Sequence, residues 1–303
     1  MMPTQSATEA RYHQVMERVR RAEARAIGRR VSAAASGRAG SGVLVVAVTK
    51  YADLEQIREL VMLGHRDFGE SQVLQLLQRA AFVDEVLTRQ RTMKGVVSAR
   101  KAGTPAPARI GTSGGPASPS ACGTHAETDE AGVEPVRWHM IGHLQRNKVK
   151  KCLEVARLIH SVDSLRLVEE IQSIAFKRDM VIDVLVQVNC AEEKGKFGCA
   201  VAAAPHLCEQ IDTMVHLRVR GLMTMAPYSE DPEDSRHTFE RCAELFHEIR
   251  SRGVGGAHFN ILSMGMSGDF EVAIECGANM VRIGSAIFGQ RRDPESVEAD
   301  EED

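Results

Sequence analysis

Several features that would assign this chain to a common class of protein are missing from its sequence. Aromatic residues make up 4% of the 303 residues, there is one tryptophan, and the seven cysteines never form a CxxC pair. This argues against a zinc ribbon or a thioredoxin-like redox site. Scattered, unpaired thiols are typical of a reducing compartment, so we expect a cytoplasmic protein.

Long apolar runs and an excess of one charge are missing too. No stretch approaches the about 18 apolar residues that span a bilayer, so we expect no membrane segment. The net charge is −3, which does not indicate a nucleic-acid partner. His139 and His143 are four residues apart but straddle a strand end and a loop, so no metal site is predicted.

The chain instead alternates between short β-rich runs and longer helical patterns, which is typical of βα units around a parallel sheet. Eight strands are predicted, and eight close a (β/α)8 barrel of the TIM type, so the fold class is α/β with a single barrel. The strands are expected to begin at Val43, Arg66, Arg137, Leu158, Asp183, His216, His258 and Asn279.

The domain organisation follows from the same pattern. Residues 1–42 are predicted to form an extra N-terminal helix, over Ala7 to Val31, and a lead-in; residues 43–291 form the barrel. Further helices are expected over residues 54–63, 165–178, 201–211 and 233–252, with N-caps that include Asp53, Ser164 and Ser267. Residues 292–303 are predicted to be an acidic, solvated tail.

One segment does not fit a βα unit. Residues from about 95 to 134 are rich in Gly, Pro, Ser, Thr and Ala and have few large apolar side chains. Such a segment buries too little surface to offset its chain entropy, so we expect a disordered insertion.

Lys50 stands at the end of the first predicted strand, after VLVVAVT. Working residues of such barrels lie at the carboxyl ends of strands. From its position alone, Lys50 either extends its ammonium out of the barrel mouth or forms a Schiff base with an aldehyde.

Two later segments favour a phosphorylated aldehyde. SMGMSGD (263–269) and RIGSAIFG (282–289) follow the seventh and eighth strands, where such barrels usually bind phosphate. Gly265 and Gly284 allow backbone N–H groups to approach phosphate oxygens, and Ser263 and Ser285 offer hydroxyl donors. Arg282 faces either a ligand ring or a structural ion pair, because it shares a strand face with Gly284.

At this point the sequence resembles a known family. VAVTK (46–50), GHRDFGES (64–71), RWHMIGHLQ (137–145), GLMTMAP (221–227) and LSMGMS with VRIGSAIFG (262–289) resemble, in order, the blocks of the pyridoxal phosphate homeostasis proteins. The resemblance spans nearly the whole chain outside the insertion and the two ends. It implies a fold-type III barrel like the N-terminal domain of alanine racemase, with pyridoxal 5'-phosphate as cofactor.

The resemblance also implies roles for individual residues. Lys50 would be the Schiff-base lysine, Arg282 the contact to the ring nitrogen, and Ser71 would replace an asparagine that the family usually has beside the cofactor. The remaining implied cofactor contacts are Met225, Ser263, Met264, Gly284 and Ser285.

The implied function is to hold pyridoxal phosphate and supply it to apo-enzymes, as a monomer and without catalysis of its own. The alternative is a racemase-like enzyme. Racemases of this fold carry a second domain after the barrel, and because only about twenty residues follow the eighth predicted strand, we expect no such domain here. A class I aldolase would not account for the phosphate loops.

Overall fold

A computed structural model describes residues 6–32, 42–102, 134–193 and 195–290. The predicted tail (292–303) and most of the predicted insertion (103–133) lie outside the described residues.

The sheet is a closed parallel barrel in which each strand pairs with the next and the eighth returns to the first. Each of the eight strands lies where the sequence predicted one, so the predicted fold class is confirmed. The strands are β1 (Leu44–Val48), β2 (Asp67–Glu70), β3 (Arg137–Met140), β4 (Ala156–Val162), β5 (Ile182–Gln187), β6 (Leu217–Met223), β7 (Ile261–Ser263) and β8 (Met280–Ile283).

Helices surround this wall. They are α1 (Ala7–Ser32), α2 (Leu54–Met62), α3 (Val73–Ala102), α4 (Val149–Cys152), α5 (Leu165–Lys177), α6 (Ala204–Asp212), α7 (Arg236–Ser251), α8 (Phe270–Glu275) and α9 (Ser285–Phe288). Short 3-10 turns precede α4, α6 and α7. In the described part of the chain, no helix is long and apolar enough to cross a membrane.

The N-terminal helix packs on the barrel as predicted. Val15, Val19, Ala22 and Ala26 are buried and recur at helical spacing, so they form one apolar stripe facing α8 and α9. The Arg11 Nε donates to the Ile287 carbonyl oxygen at 2.9 Å, which ties this helix to the end of the barrel.

The wall divides the core into two parts. The outer layer is one large apolar cluster between strands and helices. The inner one is small: Val46, Leu158, Leu185, Met223 and Met280 are buried together inside the barrel, with Leu44 and Ile261 against them. Successive strand residues alternate between these layers because the side-chain period of a strand is two.

Two local expectations differ from the structure. Helix α3 continues to Ala102, eight residues into the segment expected to be disordered from residue 95, and its last residues SARKA include good helix formers. The prediction that Ser267 caps α8 is wrong, because the helix begins after Asp269. Asp53, by contrast, caps α2 through a capping box with Gln56, as predicted.

Candidate cofactor site

Lys50 lies in the turn that follows β1, at the carboxyl mouth of the barrel. Its side chain is exposed, and its Nζ lies 4.7 Å from the centroid of the Tyr51 ring. At this distance the ring face attracts a cation weakly. The amine is therefore at the rim of the mouth and accessible to a small carbonyl compound.

A buried ion pair anchors this turn on both sides. Glu70, the last residue of β2, is fully buried and pairs with Arg79 of α3. The Arg79 guanidinium also donates to the carbonyl oxygens of Thr49 and Ala52, the latter at 3.1 Å. The Thr49 hydroxyl donates to Glu70 Oε1 at 2.6 Å. Lys50 thus extends from a backbone segment that is held on either side by buried charge-assisted hydrogen bonds.

The loops after β7 and β8 form a cradle of backbone donors. The N–H groups of Gly284 and Ala286 both donate to the Ser267 hydroxyl oxygen, each at 3.2 Å. A Cβ built on Gly284 would lie 3.2 Å from the Val48 carbonyl oxygen, so this loop lies against the end of β1. Two N–H groups that converge on one oxygen match what a phosphate oxygen requires.

Gly265 makes this loop path possible. Its φ is +93°, and an added Cβ would lie 2.6 Å from the Ala273 Cβ. Its carbonyl oxygen accepts the Arg282 backbone N–H at 3.0 Å, which ties the loop after β7 to strand β8. A side chain here would both strain the backbone and collide with α8.

Arg282 is buried inside the barrel. Its Nη1 donates to the Ser263 hydroxyl at 2.8 Å and its Nη2 donates to the Thr224 carbonyl oxygen at 2.9 Å. Burial lowers its pKa to about 10, which still leaves the guanidinium charged at neutral pH. Among the described residues Arg282 has no direct carboxylate partner, although the more distant charge of Asp269 partly offsets the effect of burial on its pKa.

Ser263 was predicted to contact phosphate, but its hydroxyl lies inside the barrel. It is fully buried and contacts Arg282 and His160, the latter at 3.1 Å from Nδ1. The hydroxyl that meets the N–H groups of the cradle belongs to Ser267. The phosphate role of Ser263 therefore stays a prediction, and Ser267 is the added candidate.

Most of the other predicted cofactor contacts lie at the carboxyl mouth of the barrel, but one does not. Val48 of β1 pairs with Gly69 of β2. Lys50 follows Val48 by two residues and Ser71 follows Gly69 by two residues, so Lys50 and Ser71 lie at the ends of neighbouring strands. Met225 follows β6 and is 37% exposed at the mouth, and Ser285 is exposed at the start of α9. Met264 is not brought to the mouth: its side chain lies in the outer apolar layer because the inward position belongs to Ser263.

Sequence reasoning missed several polar residues of this region. Strand alternation could have indicated some of them, because His160 shares a face with Leu158, an inward residue of β4. Nothing in the local sequence indicates that α3 returns Arg79 to the turn after β1. The missed residues are Asp67, Glu70, Arg79, His139, His160, Thr224 and Ser267.

A closed parallel barrel with a lysine at its carboxyl mouth and a backbone anion cradle after its last two strands defines a class of phosphate-binding (β/α)8 barrel. The sequence model of the family "Alanine racemase, N-terminal domain" matches residues 23–292. The pyridoxal phosphate homeostasis protein of Aquifex aeolicus is 47% identical over 158 residues, which is 52% of this chain and 68% of that protein.

Two further relatives cover more of the chain. The pyridoxal phosphate homeostasis protein of Pseudomonas aeruginosa is 29% identical over 262 residues, covering 86% of this chain and 90% of that protein. The structure of PipY from Synechococcus elongatus with pyridoxal phosphate bound superposes with a TM-score of 0.61 and is 23% identical, covering 88% of this chain and 100% of that one. The chain belongs to the alanine racemase N-terminal domain family and, within it, to the pyridoxal phosphate homeostasis proteins.

Proposed function

We propose that this protein binds pyridoxal 5'-phosphate at the carboxyl mouth of the barrel and supplies it to other enzymes. The observation that carries the proposal is the convergence of the Gly284 and Ala286 N–H groups on one oxygen, at a loop that lies against Val48. Lys50 follows Val48 by two residues. A cradle for an anion and an amine for an aldehyde thus lie at neighbouring strand ends.

The residues present fit this cofactor. When bound, the cofactor supplies an aldehyde with which a lysine amine forms a reversible covalent bond. Lys50 would hold the aldehyde, while Gly284, Ser285, Ala286 and Ser267 would surround the phosphate. The buried turn contacts around Thr49 would hold the amine in place.

Arg282 bears on whether the protein catalyses. Its guanidinium remains protonated at neutral pH even though burial lowers its pKa to about 10. An arginine beside the ring nitrogen has only donors and cannot accept a hydrogen bond from a protonated nitrogen as a carboxylate does, so the nitrogen stays unprotonated and the ring is a poorer electron sink. This favours a carrier without catalysis, and we expect the carrier to act as a cytoplasmic monomer that passes cofactor to apo-enzymes.

Absorbance spectroscopy tests the binding step. Protein mixed with pyridoxal phosphate should show the near-visible band of lysine-bound cofactor, and Lys50→Ala should lose it. Lys177→Ala, which changes an exposed lysine of α5, is the matched control and should keep the band. An unchanged band in the Lys50 variant would contradict the assignment of this lysine.

The phosphate cradle has its own test. Ser267→Ala should weaken cofactor binding about tenfold, because a hydroxyl that completes the anion site is lost. Inorganic phosphate should compete with the cofactor in the wild type and less well in this variant. Ser251→Ala, at the exposed end of α7, should leave both affinities unchanged.

Transfer tests the carrier role. Loaded protein should restore activity to a pyridoxal phosphate-dependent apo-enzyme and lose its near-visible band in the same period. Steady racemisation of an amino acid that depends on Lys50 would instead favour the enzyme alternative.

A further inference from the structure

A continuous chain of hydrogen-bonded polar side chains crosses the barrel interior. It runs through Asp67, His139, His160 and Ser263 to Arg282, and Arg137 caps its far end. At the far end, Asp67 Oδ2 lies 2.6 Å from Arg137 Nη2, and Asp67 Oδ1 lies 3.2 Å from His139 Nε2. The two rings meet at 3.0 Å, between His139 Nδ1 and His160 Nε2. At the near end, Ser263 Oγ lies 3.1 Å from His160 Nδ1 and 2.8 Å from Arg282 Nη1.

This chain, which we call the interior relay, joins the two mouths of the barrel. Asp67 and Arg137 are the first residues of β2 and β3, whereas Ser263 is the last residue of β7. All strands are parallel, so first residues lie at one mouth and last residues at the other. His139 and His160 are buried between them.

The negative charge of Asp67 determines which group donates the first hydrogen bond of the relay. Burial alone would raise the pKa of Asp67, but hydrogen bonds from Arg137 and His139 outweigh it and hold the pKa well below its usual range. The ionised carboxylate has only acceptor sites. His139 must therefore donate its Nε2–H to Asp67.

Burial and the charge of Arg282 at the near end limit the protonation of the second ring. Burial, reinforced by the charge of Arg282, holds the pKa of His160 well below its usual value of 6.5, so its ring is neutral and carries one proton. Arg282 donates to the Ser263 oxygen, which has a second acceptor site, so the direction of the Ser263–His160 bond is set from the other end of the chain. If His139 Nδ1 is an acceptor, Ser263 donates its hydroxyl proton to His160 Nδ1. The His160 proton is then on Nε2 and points to His139 Nδ1.

A neutral His139 completes this pattern, because its Nδ1 is then an acceptor. Asp67 is already neutralised by two hydrogen bonds from Arg137, at 2.8 and 2.6 Å, and a further buried cation beside His160 would be costly. With both rings neutral, one arrangement of protons satisfies every contact of the relay. A cationic His139 would reverse the sense of the two bonds that follow it.

We propose that His139 and His160 are positioning residues: they fix the direction of the Ser263 hydroxyl and so hold the Arg282 guanidinium at the cofactor site. The inference rests on the proposed function only in that Arg282 faces the bound cofactor. Neither histidine is expected to touch the cofactor itself.

Nitrogen NMR of the full chain with labelled histidine, without cofactor, tests the relay directly. Both rings should be neutral at pH 7 with the proton on Nε2. A His160 proton on Nδ1, or a cationic His139, would overturn the proposed direction. Assignment uses His139→Gln and His160→Gln.

Variants test the coupling between the rings. His139→Phe removes both contacts of the ring, so His160 should lose its single tautomer and cofactor binding should weaken about three- to tenfold. His139→Gln restores a donor and an acceptor and should recover part of both. His216→Gln, which removes a histidine bonded to the Met180 carbonyl oxygen outside the relay, should change neither. A His139→Phe protein whose His160 tautomer and cofactor affinity are unchanged would contradict the proposal.

Ser263→Ala provides a second route if the phenylalanine variant does not fold. It removes the donor to His160 Nδ1 and the acceptor of Arg282, so it should weaken cofactor binding about tenfold and shift the His160 Nδ1 resonance. An unshifted resonance would overturn the relay.

The two proposals fail separately. If the cofactor does not bind but both rings are Nε2 tautomers, the relay stands and the proposed function fails. If Lys50 binds the cofactor but the tautomers differ, the function stands and the relay fails.

Discussion

The outer and inner faces of the barrel sheet pack against different kinds of side chain. Outside, side chains from every strand join those of the helices in one apolar cluster. Inside, a five-residue apolar cluster shares the space with the buried polar groups that lead to Arg282. Burying polar groups is costly unless each is hydrogen-bonded, and those inside the wall are hydrogen-bonded to one another. The outer layer therefore supplies most of the apolar packing of the fold, and we expect the interior to serve the proposed site.

The largest effect should come from the outer layer. Phe239 of α7 is fully buried there, and Phe239→Ala should lower the free energy of unfolding by about 3–5 kcal/mol. Denaturant titration measures the loss, while the cofactor band of the remaining folded protein should be unchanged. A loss under about 1 kcal/mol would show that the outer layer repacks freely.

Breaking the turn contacts at the mouth should cost less stability than the Phe239 variant but should also reduce cofactor binding. Glu70→Gln keeps the size and one acceptor oxygen of the side chain but removes the charge that pairs with the buried Arg79, so the unfolding free energy should fall by about 2 kcal/mol. The rate of cofactor uptake by Lys50 should fall as the turn loosens. Glu85→Gln on the same helix breaks an exposed pair with Arg89 and should cost less than about 0.5 kcal/mol. Equal effects of both variants would contradict the anchoring role of Glu70.

The smallest effect concerns pH. The pKa of Asp67 is held below its unfolded value of 3.8, so the stabilisation that it contributes is present above about pH 4 and is lost as the pH falls further. The unfolding free energy of the wild type should drop more steeply below pH 4 than that of Asp67→Asn, by at least about 1 kcal/mol. If the unfolding free energy of the two proteins fell in parallel with pH, the lowered pKa of Asp67 would be contradicted.

The same comparison explains how much the sequence could predict. All eight strands and the N-terminal helix follow from local patterns, and Lys50 and Arg282 lie on the barrel where the order of strands puts them. Contacts across the interior do not follow, because His160 and Ser263 are 103 residues apart and meet only once the barrel closes. The choice between Ser263 and Ser267 at the cradle depends on the loop path through Gly265, whose φ of +93° no spacing reveals.

The most direct test of the site is to trap the cofactor where it binds. Protein loaded with pyridoxal phosphate is reduced with borohydride, digested, and mapped by mass spectrometry. We predict one pyridoxyl group, on the peptide that carries Lys50. Modification spread over other lysines, or none on Lys50, would contradict the account.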